Sequence, residues 1–397
     1  MFFTHYSYCS LLRSTNGKVG LINYLAPLKR PNQSMNKSFF CLHPNFSIQG
    51  KSFNEKDLRI YATSLLLSEK TYIEQLGTFL LEWLSEGDEI SVFTSGSTGT
   101  PKSLSFKKRA MQAHAQLTGQ FFNLIPGNRI LLCLPMQFIA GKMMVVRALS
   151  LGLDLWVCPP SNSPLDFFKT TFDFVAMVPT QIEGSISLLS YCRKILIGGA
   201  PLNKNLKRKA IAAIQDQSTK LFLSYGMTET LSHIAIAKLK PEDQVIFSVL
   251  PQITIEENAR GCLKVIAPYI GPDPIDTKDV VRILDASHFE WMGRLDFVIN
   301  SGGVKIHPES LEKAYGRYFS FPFFYSGIPH DSLGEQLVLV VLNEDLENVL
   351  ANLTKISFDQ KFHKPKGILT VPQFLYTNSL KLRRKDTLAL GYHLHNL

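Results

Sequence analysis

The nine residues Thr94-Ser95-Gly96-Ser97-Thr98-Gly99-Thr100-Pro101-Lys102 gather hydroxyls, glycines, a proline and one lysine into a single short segment. They follow an apolar run (Ile90, Val92, Phe93) that reads as the end of a strand. A glycine-rich loop at a strand end can wrap a polyphosphate with backbone N–H groups, hydroxyls and one cation, so ATP is the expected ligand. The ordinary P-loop does not fit, because it needs Gly directly before its Lys and Pro101 stands there. A Ser/Gly-rich surface turn has the same composition. The other parts of a nucleotide site must therefore come from elsewhere in the chain.

Several segments offer them. Tyr225-Gly226-Met227-Thr228-Glu229-Thr230 follows the apolar run Leu221–Leu223, and α/β proteins place ligand contacts at strand ends facing a cleft. Tyr225 offers a flat ring for a base, Thr228 a hydroxyl for a phosphate, and Glu229 a hard oxygen for magnesium. Gly198-Gly199-Ala200-Pro201-Leu202 ends the run Ile195–Ile197, and its glycines permit close backbone approach to a ligand or simply a strand-to-helix turn. Asp279 stands in Thr277-Lys278-Asp279. Gly293-Arg294-Leu295-Asp296 precedes Asn300-Ser301-Gly302-Gly303-Val304-Lys305-Ile306, where Gly302-Gly303 suits a hairpin turn. Near the end, Thr377-Asn378-Ser379-Leu380-Lys381-Leu382-Arg383-Arg384 opens a basic tail.

Taken in order, these strings resemble the adenylate-forming (AMP-binding) superfamily, in its acyl-CoA synthetase branch. The resemblance implies a division of labour. Thr94, Ser95, Gly96, Ser97, Thr98, Gly99 and Lys102 form the phosphate loop; Gly199, Ala200 and Pro201 line the adenine pocket with Tyr225 and Gly226; Asp279 and Arg294 reach the ribose. Lys381, Thr228 and Glu229 are the catalytic residues, Glu229 also holding the metal, Mg2+; Asp296 is the hinge of a small mobile domain; Gly302 and Gly303 line a thiol tunnel. Lys278 and Leu380 stand where the family has glycine. Attack of a carboxylate on the α-phosphorus joins two anions, so cationic and dipolar screening is the main task. The acyl-adenylate would then pass its acyl group to the thiol of CoA, with domain rotation exchanging Lys381 for the thiol channel.

The string Leu132–Ala148, with Gln137-Phe138 where most family members carry an aromatic–His pair, is similar to short o-succinylbenzoate–CoA ligases of menaquinone synthesis, as is Val178-Pro179-Thr180-Gln181. The match runs over residues 90–397. Phe138 and Lys142 join the acid pocket on this reading, and Lys142 or Arg147 either pairs with the substrate's spare carboxylate or snorkels to solvent. Other expectations are a ligase for another aryl or acyl acid, a carrier-loading adenylation enzyme, or a non-catalytic nucleotide-binding relative.

The elements needed to position these residues are legible. Residues 56–86 show helical spacing of Leu58, Leu65, Ile73, Leu76, Phe79, Leu80 and Trp83, and Lys107–Phe122 continues in kind. Runs at Ile130–Leu134, Leu153–Val157, Phe174–Val178, Ile195–Ile197 and Leu221–Leu223 alternate with helix-length intervals, among them Gly141–Leu151, which predicts βαβ units and parallel sheet. Past residue 250, short β-like pieces (Ile253–Glu256, Cys262–Ile266, Val280–Leu284) suggest a small β-rich subdomain. The last section predicts helices at Pro308–Tyr315 and Leu346–Leu353 and a strand at Leu337–Leu342. The fold class is thus α/β: a large domain of parallel and mixed sheets flanked by helices (51–293), and a small α+β domain (294–397). Residues 1–50 read as a poorly packed extension, with Met35 an alternative start.

Composition sets the outer bounds. Among 397 residues, 45% hydrophobic and 19% charged describe a globular chain, and no apolar run is long enough to cross a membrane. Six scattered cysteines show no zinc spacing and fit reduced thiols in a cytoplasmic protein. Part of the net charge of +9 lies before Glu55, where no acid occurs, and part in Lys381–Lys385. This suits polyanionic ATP and CoA better than nucleic acid. A small carboxylic acid completes the expected partners, and oligomeric state is not readable.

Overall fold

The computed structural model describes residues 42–93, 103–214, 218–241, 244–377 and 382–397, and all of them belong to one compact unit. The phosphate-loop segment 94–102, Lys381 with Leu380, and the extension up to residue 41 lie outside the described residues.

The helical run at 56–86 is two helices, Glu55–Leu65 and Thr71–Leu84. Asn54 caps the first by accepting from the Asp57 N–H at 2.9 Å. The second packs back on the first so closely that a Cβ at Gly77 would lie 2.7 Å from the Ala62 carbonyl oxygen. Trp83, Leu80, Leu76 and Leu58 are buried at this contact and in the core beneath it.

Thirteen strands form the large sheet among the described residues. Its parallel part runs Lys220–Gly226, Lys194–Ile197, Phe174–Met177, Arg129–Leu132, Asp154–Val157 and Ser47–Ile48 in spatial order. The order departs from chain order where Arg129–Leu132 sits between Phe174–Met177 and Asp154–Val157. These strands are nearly continuous hydrophobic runs because both faces are covered: Lys108–Phe122 and Ile139–Leu151 pack on one core, while Pro179–Gly184 and Lys204–Ala213 pack on a second with Cys133, Cys158 and Cys192. Residues 42–50 are part of this body; Phe46 is fully buried and Ser47 pairs with Asp154.

The β-rich stretch is continuous with the large sheet. His233–Lys238 turns back antiparallel on Lys220–Gly226, and Phe247–Val249, His288–Arg294, Ile275–Asp285, Cys262–Ile266 and Thr254–Glu257 extend it outward. A separate hairpin pairs Glu89–Phe93 with Ser103–Lys107, with Phe93 opposite Ser103 at the two ends of the glycine-rich loop.

The large sheet ends at Arg294 and the small one begins at Ile299; the link between them is the single 3-10 turn Leu295–Phe297 and Val298. The small sheet has Gly334–Leu342 at its centre, flanked by Phe324–His330, Gly367–Val371 and Ile299–Ser301, with Val304–Ile306 and His393–Asn396 outermost. Pro308–Tyr315 and Leu346–Leu353 cover one face.

Candidate functional site

The C-terminal ends of the neighbouring parallel strands Lys194–Ile197 and Lys220–Gly226 lie side by side, with Ile197 in register with Leu223 and the Ser224 hydroxyl donating to the Ile197 carbonyl at 3.1 Å. Gly198-Gly199-Ala200-Pro201 leaves the first strand and Tyr225-Gly226 ends the second, so both expected adenine segments open at one edge. Their glycines have specific steric causes. A Cβ at Gly198 would lie 2.3 Å from Ser224 Oγ, Gly199 sits at φ +84°, and a Cβ at Gly226 would lie 2.3 Å from the Ser232 carbonyl oxygen.

The turn after Gly226 is held by Thr230, whose buried hydroxyl accepts from the Met227 N–H at 2.9 Å. This leaves Thr228 half-buried and Glu229 exposed, neither side chain having a hydrogen-bond partner among the described residues. No group of three or more metal-ligating side chains occurs among the described residues. An exposed, unengaged carboxylate suits magnesium that takes most of its oxygens from water and phosphate.

Asp279 and Arg294 face each other across the antiparallel pair Ile275–Asp285 and His288–Arg294. Asp279 is buried, its side chain 8% exposed. Its Oδ2 accepts from the Tyr225 hydroxyl at 2.7 Å, its Oδ1 from Trp291 Nε1 at 3.2 Å, and Arg294 Nη1 lies 3.6 Å from Oδ1. Tyr225 therefore contributes its hydroxyl here, while its ring packs against Phe247 and Phe289 at centroid distances of 5.7 and 5.1 Å. Burial, reinforced by Asp279, pushes the Tyr225 phenol up, so it stays a donor. The charges alternate onward: Arg294 Nη2 bonds Asp296 at 3.3 Å, and Asp296 Oδ1 accepts from Lys278 Nζ at 3.0 Å. Burial raises the Asp296 carboxyl, but Lys278 and Arg294 outweigh it and hold it below the usual range. Lys278 thus has a defined partner despite replacing a glycine. Sequence reasoning missed Trp291, because nothing in its spacing announces a bond to a residue on the neighbouring strand.

Along the helix Ile139–Leu151 the two candidate cations separate. Lys142 has partners within the protein: its ammonium donates to the Ser91 carbonyl at 3.0 Å, lies 3.6 Å from Glu82, and sits over the Phe79 ring at 5.2 Å. Arg147 is 2% exposed and faces inward, correcting the snorkelling alternative. Its Nη2 donates to Ser232 Oγ at 3.1 Å, its Nη1 contacts Met144 Sδ at 3.6 Å, and its Nε has no partner. No carboxylate pairs with it among the described residues, and burial pulls its guanidinium down to about 9. Two buried imidazoles accompany it. His114 Nε2 donates to the His233 carbonyl at 2.7 Å, and burial, then Arg147, pushes His114 down to about 3 and His233 well below the usual range. Phe138 is half-buried and precedes the first turn of this helix.

In the small sheet Gly302 and Gly303 form the hairpin turn with φ +57° and +81°. Three residues past Lys381, Arg384 makes two bonds of 2.7 Å to the Glu312 carboxylate and stacks over Phe297 of the link at 5.0 Å.

The family model described as AMP-binding enzyme matches residues 83–253. The chain is 33% identical to a crystallised acyl-CoA synthetase (AMP-forming)/AMP-acid ligase II-like protein from Dyadobacter fermentans, over 84% of this chain and 98% of that one, with a TM-score of 0.55. It is 27% identical to the 2-succinylbenzoate–CoA ligase of Haemophilus influenzae (74% of this chain, 68% of the relative) and 26% identical to that of Escherichia coli (74% and 66%). The o-succinylbenzoate CoA synthetase of Bacillus subtilis, solved with its acyl-adenylate, shares the fold at 18% identity and a TM-score of 0.63, over 77% of this chain and 70% of that one. The chain thus spans about two thirds of the length of these curated relatives.

Proposed function

Since the chain belongs to the AMP-binding enzymes, the family of AMP-forming acyl-CoA synthetases, we propose that it is an ATP-dependent acid–CoA ligase whose acid is o-succinylbenzoate. The supporting observation is Arg147: a buried guanidinium without an acidic partner among the described residues is costly unless a ligand supplies the anion. o-Succinylbenzoate carries two carboxylates. One is consumed in the reaction, and the other is free to meet Arg147, with the unpartnered Nε as a ready donor. Arg147 replaces Lys142 in this role, since the lysine is already engaged.

In the first half-reaction an oxygen of the acid's carboxylate attacks the α-phosphorus of ATP and pyrophosphate leaves. We assign the phosphates to the 94–102 loop, Thr228 and Lys381, the adenine to the Gly199–Pro201 and Tyr225-Gly226 edge, and the ribose to Asp279 and Arg294. Magnesium, held by Glu229 together with phosphate oxygens and water, would neutralise triphosphate charge. In the second half-reaction the CoA thiolate attacks the acyl carbon and AMP leaves. The 295–298 link is the proposed hinge between a large domain and a small one, and carries the Gly302-Gly303 turn toward the thiol path. CoA and ATP are soluble, and the cytoplasm is the proposed site of action.

The test is incubation with ATP, magnesium, CoA and a panel of acids, following AMP and thioester. We expect thioester from o-succinylbenzoate in preference to benzoate and to simple acyl acids. AMP release without a CoA thioester would point to a carrier-protein acceptor. Thioester from other acids alone would remove the substrate assignment.

A further inference from the structure

We propose that Trp291 is a positioning residue for the nucleotide: its indole N–H fixes the Asp279 carboxylate in the orientation that accepts both ribose hydroxyls. The inference rests on the assignment of Asp279 to the ribose.

A carboxylate offers about four lone-pair sites, two on each oxygen. The Tyr225 hydroxyl takes one site on Oδ2 at 2.7 Å, and Trp291 Nε1 takes one on Oδ1 at 3.2 Å. Arg294 Nη1, 3.6 Å from Oδ1, is a charge contact too long for a hydrogen bond. One site therefore remains on each oxygen, which matches the two donors of a vicinal diol. Both protein bonds are needed for that count. With one missing, the carboxylate is free to turn about its Cβ–Cγ bond and present a single oxygen.

The backbone beneath it is also set. The Asp279 N–H donates to the Thr277 hydroxyl at 3.0 Å, and Asp279 is paired in register with Arg294. The remaining freedom lies in the side chain, and the two aromatic donors remove it. Indole is a donor without an acceptor site, so it cannot compete with Asp279 for the ribose hydroxyls. Trp291 is half-buried and reaches Asp279 from the same strand that carries Arg294.

The experiment compares KM for ATP with KM for 2′,3′-dideoxy-ATP in wild type, Trp291→Phe and Asp279→Asn. Wild type is expected to favour ATP by about tenfold or more, the worth of one to two hydrogen bonds to a charged group. Trp291→Phe keeps an aromatic ring and removes the donor. It should weaken ATP by about fivefold and leave the dideoxy analogue nearly unchanged. A merely structural role would weaken both nucleotides alike and keep their ratio, which would overturn the proposal. If Asp279→Asn loses the preference while Trp291→Phe keeps it, the ribose assignment stands and the role of Trp291 falls. If wild type shows no preference, both fall together.

Discussion

Arg147 carries opposite consequences for activity and for stability. Its guanidinium is buried against Ser232 and Met144 without a counter-charge among the described residues, so the free protein bears its desolvation. Replacing it with an apolar side chain of similar length removes that cost. Arg147→Met should therefore leave the unfolding midpoint equal or higher, yet raise KM for o-succinylbenzoate by about ten- to a hundredfold, the value of a charge-assisted bond. Benzoate, which lacks the second carboxylate, should be indifferent. Steady-state kinetics with both acids, together with thermal melts, tests this; equal loss with both acids would contradict the assignment. The neighbouring imidazoles predict a pH dependence of stability. His114 falls from 6.5 to about 3 on folding, so below 6.5 the unfolded chain binds a proton that the native one refuses. Stability is full above that pH and declines as pH drops toward 3. The expected loss is about 2 kcal/mol between pH 7 and 5 from His114 alone, and His233 shifts in the same direction. Urea titrations at the two pH values should show a smaller difference in His114→Gln than in wild type.

Elements reach the site through their ends. The strand Lys220–Gly226 supplies Tyr225 from inside the sheet and releases the Thr228-Glu229 turn just beyond it. Gly226 is what allows that release, because His233 crosses so near that a Cβ would lie 2.5 Å from its Cα and 2.3 Å from the Ser232 carbonyl oxygen. Those neighbours are backbone and cannot swing aside. Gly226→Ala should cost about 1–3 kcal/mol by overpacking and depress adenylation more than it depresses stability, since it moves both Tyr225 and Ser232. Urea unfolding and pyrophosphate release measure the two effects. The helix Ile139–Leu151 shows the converse: its sequence carries two cations, and packing sends one to the hairpin carbonyl of Ser91 and the other inward to Ser232.

At the scale of the whole molecule, two sheets meet through residues 295–298, and three contacts clasp them there. Ser310 Oγ donates to the Met292 carbonyl at 2.7 Å, the Arg294 N–H donates to Glu309 at 3.4 Å, and Lys278 bridges to Asp296 at 3.0 Å. Arg384 stacks on Phe297 of the same link, tying the segment after Lys381 to it. The Lys278–Asp296 pair is half-exposed, so it contributes only about 0.2–1 kcal/mol. On the proposed hinge, Lys278→Gly should therefore change the ratio of the two half-reaction rates by less than about fivefold. Single-turnover measurement of each half-reaction reads this directly. A change above tenfold would mean that Lys278 touches a substrate.

Much of this protein is written locally. Hydrophobic periodicity marks the parallel strands and most helices, because burying an apolar stripe leaves its period in the chain. The strings proposed to hold ligand are legible because a strand-end turn needs particular residue types in unbroken succession, as in Tyr225–Thr230. The run at 56–86 hid its break at residues 66–70, since two helices packed on each other share one apolar pattern. Tertiary structure alone decided which charged groups are available. Lys142 and Arg147 lie five residues apart and look alike as sequence, yet one sits beside Glu82 and the other is buried against Ser232 with no carboxylate partner among the described residues. Trp291 meets Asp279 only because two strands pair with a shifted register. A side chain's partner depends on how distant segments are brought together in space, and no short window of sequence contains that information.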